Sequence, residues 1–281
     1  MKISVMTVPF HNLFAADDKN ITDFLQKIQA AGATGIETMF GWETKAPTSW
    51  KCLCDTAKSL GIQQACYDIG INLIYSNQEE YSDISARAKT QIAFCRETLD
   101  CGVAMFYNSK PADGMPYNEG RKIFGEMMNE LSEYAASYNV KICTEDFDPR
   151  PDFVCSADTC LEALSYAPNA GLAFDTGNFL IADDNPRDIY PRVKNRIFHV
   201  HVKEKKEVAP DAVEKPQKSL AGKCYVAAPF GEGNANIADC VALLKADGYQ
   251  GWLSVESFLG PEDAIRGTAF LAKCANGAPQ C

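Results

Sequence analysis

Two rhythms of apolar residues alternate along the chain. Short continuous runs read as buried strands: Ile3–Val8, Gly35–Phe40, Ile62–Tyr67, Val103–Tyr107, Val140–Thr144, Leu172–Phe174, Ile197–Val202 and Gly251–Val255. Between them apolar positions recur three or four apart, as at Ile21, Phe24, Leu25 and Ile28, where Gly32 then stops the pattern. This spacing predicts helices over Ile21–Ala31, Pro47–Leu60, Tyr81–Leu99, Tyr117–Tyr138, Ser156–Ala167, Pro186–Val193, Ile237–Asp247 and Glu262–Cys274. Ser156 suits a helix N-cap. Eight strands alternating with eight helices imply a parallel sheet with helical crossovers. Eight such units close into a single (β/α)8 TIM barrel of the α/β class, spanning 1–281 as one domain. An open doubly wound sheet would carry a glycine-rich turn after its first strand. Here that turn is Pro9-Phe10-His11-Asn12. The one long irregular stretch, 203–233, follows the seventh strand and reads as a lid.

Charge narrows the partners. A net charge of −10 argues against nucleic acid and against an anionic membrane surface, both of which favour lysine and arginine. No apolar run reaches transmembrane length. The start, MKISVMTVPF, resembles a signal peptide only superficially, because His11 and Asn12 interrupt it and Ile3, Val5 and Thr7 suit a strand. The 12 cysteines are scattered with no CxxC pair, so they read as buried small apolar residues rather than a disulfide framework. The expected setting is a reducing cytoplasm, where the Asn20-Ile-Thr22 sequon goes unused. A homo-oligomer is left open.

Barrel enzymes keep their chemistry at the C-terminal ends of the strands. Four consecutive strands each deliver a metal-competent side chain there: Glu145, Asp175, His201 and Glu256. His199 shares a side with His201 but lies one layer deeper, by the period of two along a strand. Three carboxylates and one imidazole make a hard, oxygen-rich set that favours Mn²⁺, Mg²⁺ or Co²⁺, with Zn²⁺ also possible. One divalent ion is expected. Asp175-Thr-Gly-Asn178 also reads as a turn, because Asp, Gly and Asn are turn formers. Weaker candidates for lining a sugar pocket are Lys203, Glu37, His11, Trp42, Asp68, Tyr107, Asn108 and Arg150. Gly231-Glu-Gly-Asn234 reads as a turn rather than a phosphate loop.

On the opening MKISVMT, Glu145, DTGN at 175–178, HVHVK at 199–203, GEGN at 231–234 and Glu256, the chain resembles the sugar isomerase/epimerase group with xylose-isomerase-like barrels. That group includes ketose 3-epimerases and inosose-type enzymes. The resemblance implies that Glu145, Asp175, His201 and Glu256 hold one metal and that Glu145 and Glu256 act as paired acid and base. Two positions depart from the ketose 3-epimerases. Asn178 stands where they carry a sugar-holding His, and Glu207 where they carry an Arg. Glu204 follows HVHVK where the group often has Asp. The expected function is a metal-dependent isomerase or epimerase of a small-molecule sugar, keto-sugar or polyol, working by α-proton abstraction through an enediolate. The alternative is a lyase or dehydratase using the same site on a keto-sugar or inosose. A non-catalytic sugar-binding barrel ranks lower. An endonuclease ranks lower too, because that chemistry needs more histidines than the three present.

Overall fold

A computed structural model describes residues 1–277. Its strands in chain order are β1 (Lys2–Met6), β2 (Gly35–Met39), β3 (Gln63–Ile69), β4 (Val103–Phe106), β5 (Lys141–Glu145), β6 (Gly171–Asp175) and β7 (Ile197–Val202). Next come β8 (Lys205–Val208), β9 (Gln217–Lys218), β10 (Cys224–Ala227) and finally β11 (Trp252–Val255). Eight of them form a closed parallel barrel in the order β1-β11-β7-β6-β5-β4-β3-β2. The chain therefore has the single (β/α)8 barrel architecture that its two rhythms predict.

The helices are α1 (His11–Ala16), α2 (Asp18–Ala30), α3 (Trp42–Lys45), α4 (Pro47–Ser59), α5 (Gln78–Glu97) and α6 (Tyr117–Ala136). They continue with α7 (Ala157–Ser165), α8 (Pro186–Val193), α9 (Ile237–Ala246) and α10 (Pro261–Asn276). On α2 the buried face is Ile21, Phe24, Leu25 and Ile28. Each such side chain contributes roughly 1.5–3 kcal/mol over leaving it exposed. Side chains satisfy the first turns: Asp17 accepts from the Lys19 N–H, Asn77 from Glu80, Ser156 from Thr159 and Asn185 from Arg187. The C-terminal end of α7 is closed differently. The Arg196 guanidinium donates to the carbonyls of Leu164, Ala167 and Ala170.

Inside the barrel, Cys66, Met105, Cys143 and Ala173 pack as one small apolar layer from four adjacent strands. The mouth lies one layer above. Parallel pairing sets Asp175 beside His201 and His201 beside Ser254, so the ends of β6, β7 and β11 come level. Register shifts sit at Ile36/Glu37 and at Leu172/Ala173. Such irregularities re-aim side chains near sites. Gly171 is required by a close approach, since a Cβ there would lie 2.2 Å from the Phe198 ring.

Three features differ from the sequence expectation. The stretch 203–233 is not irregular: β8, β10 and β9 form an antiparallel sheet. Its strands are too short and too polar to show a clear period of two. The short helices α1 and α3 also escaped notice, because one or two turns carry no measurable periodicity. Among the described residues ten cysteines are free, but Cys274 is disulfide-bonded; Cys281 lies outside the described residues. No helix among them is long and apolar enough to cross a membrane.

Candidate metal centre

At the barrel mouth Glu145, Asp175, His201 and Glu256 are all buried, and one ligand atom from each lies within 4.8 Å of the others. His201 is the pivot. Its Nδ1 lies 2.9 Å from Glu145 Oε1, 3.4 Å from Glu256 Oε2 and 3.9 Å from Asp175 Oδ2. Its Nε2 lies 2.8 Å from Glu37 Oε1. The other Glu37 oxygen, Oε2, lies 3.0 Å from His199 Nε2. Glu37 thus serves two histidines and leaves Nδ1 of His201 aimed at the three carboxylates. A carboxylate behind a histidine in this way fixes the ring and raises its basicity toward a metal.

Asp175 divides its work. Oδ1 accepts from the backbone N–H of Gly177 at 2.6 Å and of Asn178 at 2.8 Å. This makes the DTGN turn, so the turn reading and the ligand reading are compatible. Oδ2 has no hydrogen-bond partner, and neither has Glu256 Oε2. The Lys203 ammonium lies 3.4 Å from Asp175 Oδ2, and three buried carboxylates converging on one imidazole nitrogen would be balanced further by a bound cation. The donor set fits a divalent ion with hard oxygen preference.

Electrostatics follow from burial and neighbours. Burial would lower the His201 imidazolium, but Glu37 and Glu145 outweigh it and hold it well above the usual histidine range. Burial would raise Glu37, yet His201 and His199 keep it well below the carboxylate range. Glu256 is pushed up to about 8, first by burial, against the opposing Lys203, with Asp175 and Glu145 adding to the rise. Lys203 is held well above its usual value: burial opposes this, but Asp175 and Glu256 prevail. Asp146, missed by sequence reasoning, is fully buried behind β6, and its Oδ1 accepts from the Asp175 N–H at 2.9 Å. Its place directly after Glu145 was the available signal.

The cluster opens into a cavity of about 560 Å³. Glu145, Glu256, Lys203, Asp68 and Tyr107 line it. The β8–β10 sheet supplies one wall through Lys205, Gln217 and Tyr225. This sheet is fastened at two places. Lys205 Nζ lies 2.8 Å from Asp148 Oδ2, and Gln217 donates to the same oxygen at 2.9 Å. On the outside, Asp183 accepts from the Ser219 hydroxyl and the Ala221 N–H. Glu204 anchors the GEGN turn, accepting from the N–H groups of Gly231 and Ala235. A Cβ at Gly233 would meet Glu204 Oε1 at 2.3 Å, which is why glycine stands there.

Several candidates for the pocket lie elsewhere. Lys203 is in place: its Nζ is 2.7 Å from Glu256 Oε1 and 2.9 Å from Asn178 Oδ1. Asn178 is buried behind it and donates to Glu145 Oε1 at 3.2 Å, so it supports the cluster and does not line the cavity. Glu37 is likewise beneath the cavity. His11 stacks on Trp42 with ring centroids 3.9 Å apart, outside the cavity. Arg150 donates to Asn108 at 2.9 Å, and both border a separate crevice of about 10 Å³. His11, Asn108 and Arg150 thus lie outside this cavity, each against a local partner. Glu207 sits on β8 beside Lys223 at 3.9 Å and does not line the cavity either.

Residues 25–274 match the model of one family, described as xylose isomerase-like TIM barrel. The chain belongs to that family. Among its curated relatives are an inosose dehydratase of Clostridium botulinum, 29% identical over 116 residues, and one of Lacticaseibacillus casei, 32% identical over 106 residues. The matched stretches cover 37% of this chain and 38% and 36% of those proteins, so the chain matches little more than a third of their length. Among solved structures, the IolI protein with a bound zinc atom superposes over the full length of both chains, with a TM-score of 0.74 at 20% identity. A xylose isomerase-like barrel from Mycobacterium smegmatis in complex with magnesium gives 0.72 at 14% identity, over 99% of this chain and 97% of that one. These two neighbours share the fold, and their ions differ.

Proposed function

We propose that the protein is a divalent-metal-dependent lyase that removes water from a keto-polyol of the inosose class. The observation that carries this reading is the asymmetry of the two cavity carboxylates. Glu256 has the Lys203 ammonium 2.7 Å away, whereas Glu145 is held by the neutral Asn178 and by His201. Elimination needs one base for the α-proton and one acid for the leaving hydroxyl. An epimerase needs two interchangeable bases. Two further points support a lyase: the relatives named inosose dehydratase, and the absence of the ketose 3-epimerase His and Arg at Asn178 and Glu207.

In this reading Glu145, Asp175, Glu256 and Nδ1 of His201 hold the ion. When bound, it supplies Lewis-acid stabilisation of charge developing on the substrate carbonyl oxygen. Mg²⁺ and Mn²⁺ suit the oxygen-rich donors best. Glu145 takes the proton from the carbon next to the carbonyl. Lys203, bridged to Glu256, gives a proton to the departing hydroxyl, which leaves as water. Glu37 keeps the His201 ring oriented. The sheet β8–β10 shields the reacting carbon from bulk water.

The experiment is incubation of metal-loaded protein with 2-keto-inositol and with 2-keto and 3-keto hexoses, followed by NMR in deuterated water. The expected product is an unsaturated ketone or its diketone tautomer, lighter by one water. An epimer as sole product would sink the lyase reading. It would favour the second one, isomerase or epimerase, which rests on Glu145 and Glu256 both lining the same cavity.

A further inference from the structure

The cavity wall carries a polar group that the chemistry above leaves unused. Asp68, near the end of β3, is fully buried yet borders the cavity. In the strand order, β3 stands four places from β7 in either direction. Asp68 therefore reaches the mouth from the strand opposite His201, with the Glu37 carboxylate between the two side chains. Neither Asp68 oxygen meets an N–H or hydroxyl donor of the protein. Its neighbour is the Glu37 carboxyl, whose two oxygens are already taken by His199 and His201. Two carboxyls in contact and out of water share a proton. That arrangement still leaves Asp68 an acceptor oxygen that no protein donor meets.

The other buried polar side chains of the wall are engaged. Lys205 pairs with Asp148, Glu204 accepts from backbone N–H groups, and Ser257 donates to Asp263. Among the described lining residues, bare buried oxygens occur only on Asp68 and on Glu256, and Glu256 belongs to the metal cluster. On β2 and β1, the strands that stand between β3 and β11, the wall carries the apolar side chains of Met39 and Met6. A ligand that bridges Asp68 and Glu256 needs a hydroxyl at its far edge and a face that can rest on thioether and methylene groups. A polyhydroxylated ring has both.

We propose that Asp68 is a substrate-binding residue, accepting a hydrogen bond from a hydroxyl on the side of a polyol ring remote from the metal ligands. The proposal rests on the keto-polyol reading and adds a selectivity to it: analogues lacking that hydroxyl bind less well. Burying an acceptor with no donor is unfavourable, and a ligand hydroxyl removes that penalty.

The test is calorimetric binding, in Mg²⁺, of unreactive myo-inositol and its monodeoxy analogues. Wild-type protein is expected to bind at least one analogue about 2–10-fold more weakly than the parent, the range for a lost neutral hydrogen bond. Asp68→Ala is expected to weaken myo-inositol by a similar factor while leaving that one analogue unaffected. Asp68→Asn can donate its amide to Glu37 and keep its carbonyl free, so it recovers the preference. The wild-type measurement needs no variant, so a poorly folding Asp68→Ala does not rescue the claim. Equal binding of all analogues by the wild type overturns it. So does equal binding of myo-inositol by wild type and Asp68→Ala, and so does the absence of any polyol binding. Turnover of 2-keto-inositol is scored separately. Hydroxyl-dependent binding without a dehydrated product keeps the role of Asp68 and removes the lyase reading.

Discussion

Glu256→Gln isolates the strain that the acidic cluster places on the metal-free barrel. The substitution keeps shape and a carbonyl oxygen but cannot ionise. In the folded protein the Glu256 carboxyl moves from 4.5 to about 8. The folded state therefore holds a proton that the unfolded chain has already released between those values, and stability falls as pH rises through that window. At ~1.4 kcal/mol per pH unit, the full loss amounts to ~5 kcal/mol, of which ~4 kcal/mol is expressed by pH 8. Glutamine has no such term. Urea unfolding of chelator-treated wild type and variant at pH 5, 6, 7 and 8 should thus give similar stabilities at pH 5 and a variant more stable by several kcal/mol at pH 8. Saturating Mg²⁺ should reverse the order, because only the wild type offers a third carboxylate to the ion beside Glu145 and Asp175. Calorimetry of Mg²⁺ binding at pH 6 in two buffers should detect about two protons released per ion bound, one from Glu256 and one from the His201 imidazolium. Parallel stability profiles from pH 5 to 8, or no proton release, would refute the account of burial and carboxylate crowding at this site.

Other outcomes follow from the same geometry. Elemental analysis of protein purified without chelator should give one divalent ion per chain, and His201→Ala should lose it; unchanged metal in that variant rules out the four-ligand centre. Glu37→Gln leaves Nε2 of His201 and Nε2 of His199 without a carboxylate partner and should weaken metal binding by about 10–100-fold, measured by competition with a fluorescent chelator. Glu145→Gln should keep a folded barrel and lose at least ~10²-fold in turnover of a confirmed substrate, as expected for removal of a general base. Hydrogen exchange should show β8–β10 protected even without ligand, since Lys205, Gln217 and Asp183 fasten it; rapid exchange across 205–227 would mean those ties are not made in solution.

The barrel was legible because its signals are long and redundant. The face Ile21, Phe24, Leu25 and Ile28 on α2 could be read from spacing alone, and glycines closed the patterns where helices end. The four cluster residues were legible for a related reason: parallel strands of similar length bring their C-terminal ends level, so position in a strand stands in for position in space. What escaped depends on contacts between distant residues. The exclusion of His11 turns on Trp42, and that of Arg150 on Asn108. Spacing along the chain says nothing about either pair. The service of Glu37 to two histidines is of the same kind, the partners standing 162 and 164 positions further along the chain. The sheet β8–β10 was invisible because its strands take their order from Asp148, Asp183 and Glu204, not from an alternation of their own.

The separation between that sheet and the barrel strands has an evolutionary consequence. The atoms proposed to carry out the reaction hang from β5, β6, β7 and β11, whose registers are locked to one another, whereas much of the wall that meets an incoming molecule is borrowed from residues 205–227. An insertion, deletion or exchange within this excursion leaves the strand ends level. A lineage can thus retune which molecules enter by rewriting one segment, while the reactive apparatus is inherited intact. Chimaeras made by transplanting this segment between members of the family should exchange preference for substrate while keeping the affinity for the ion.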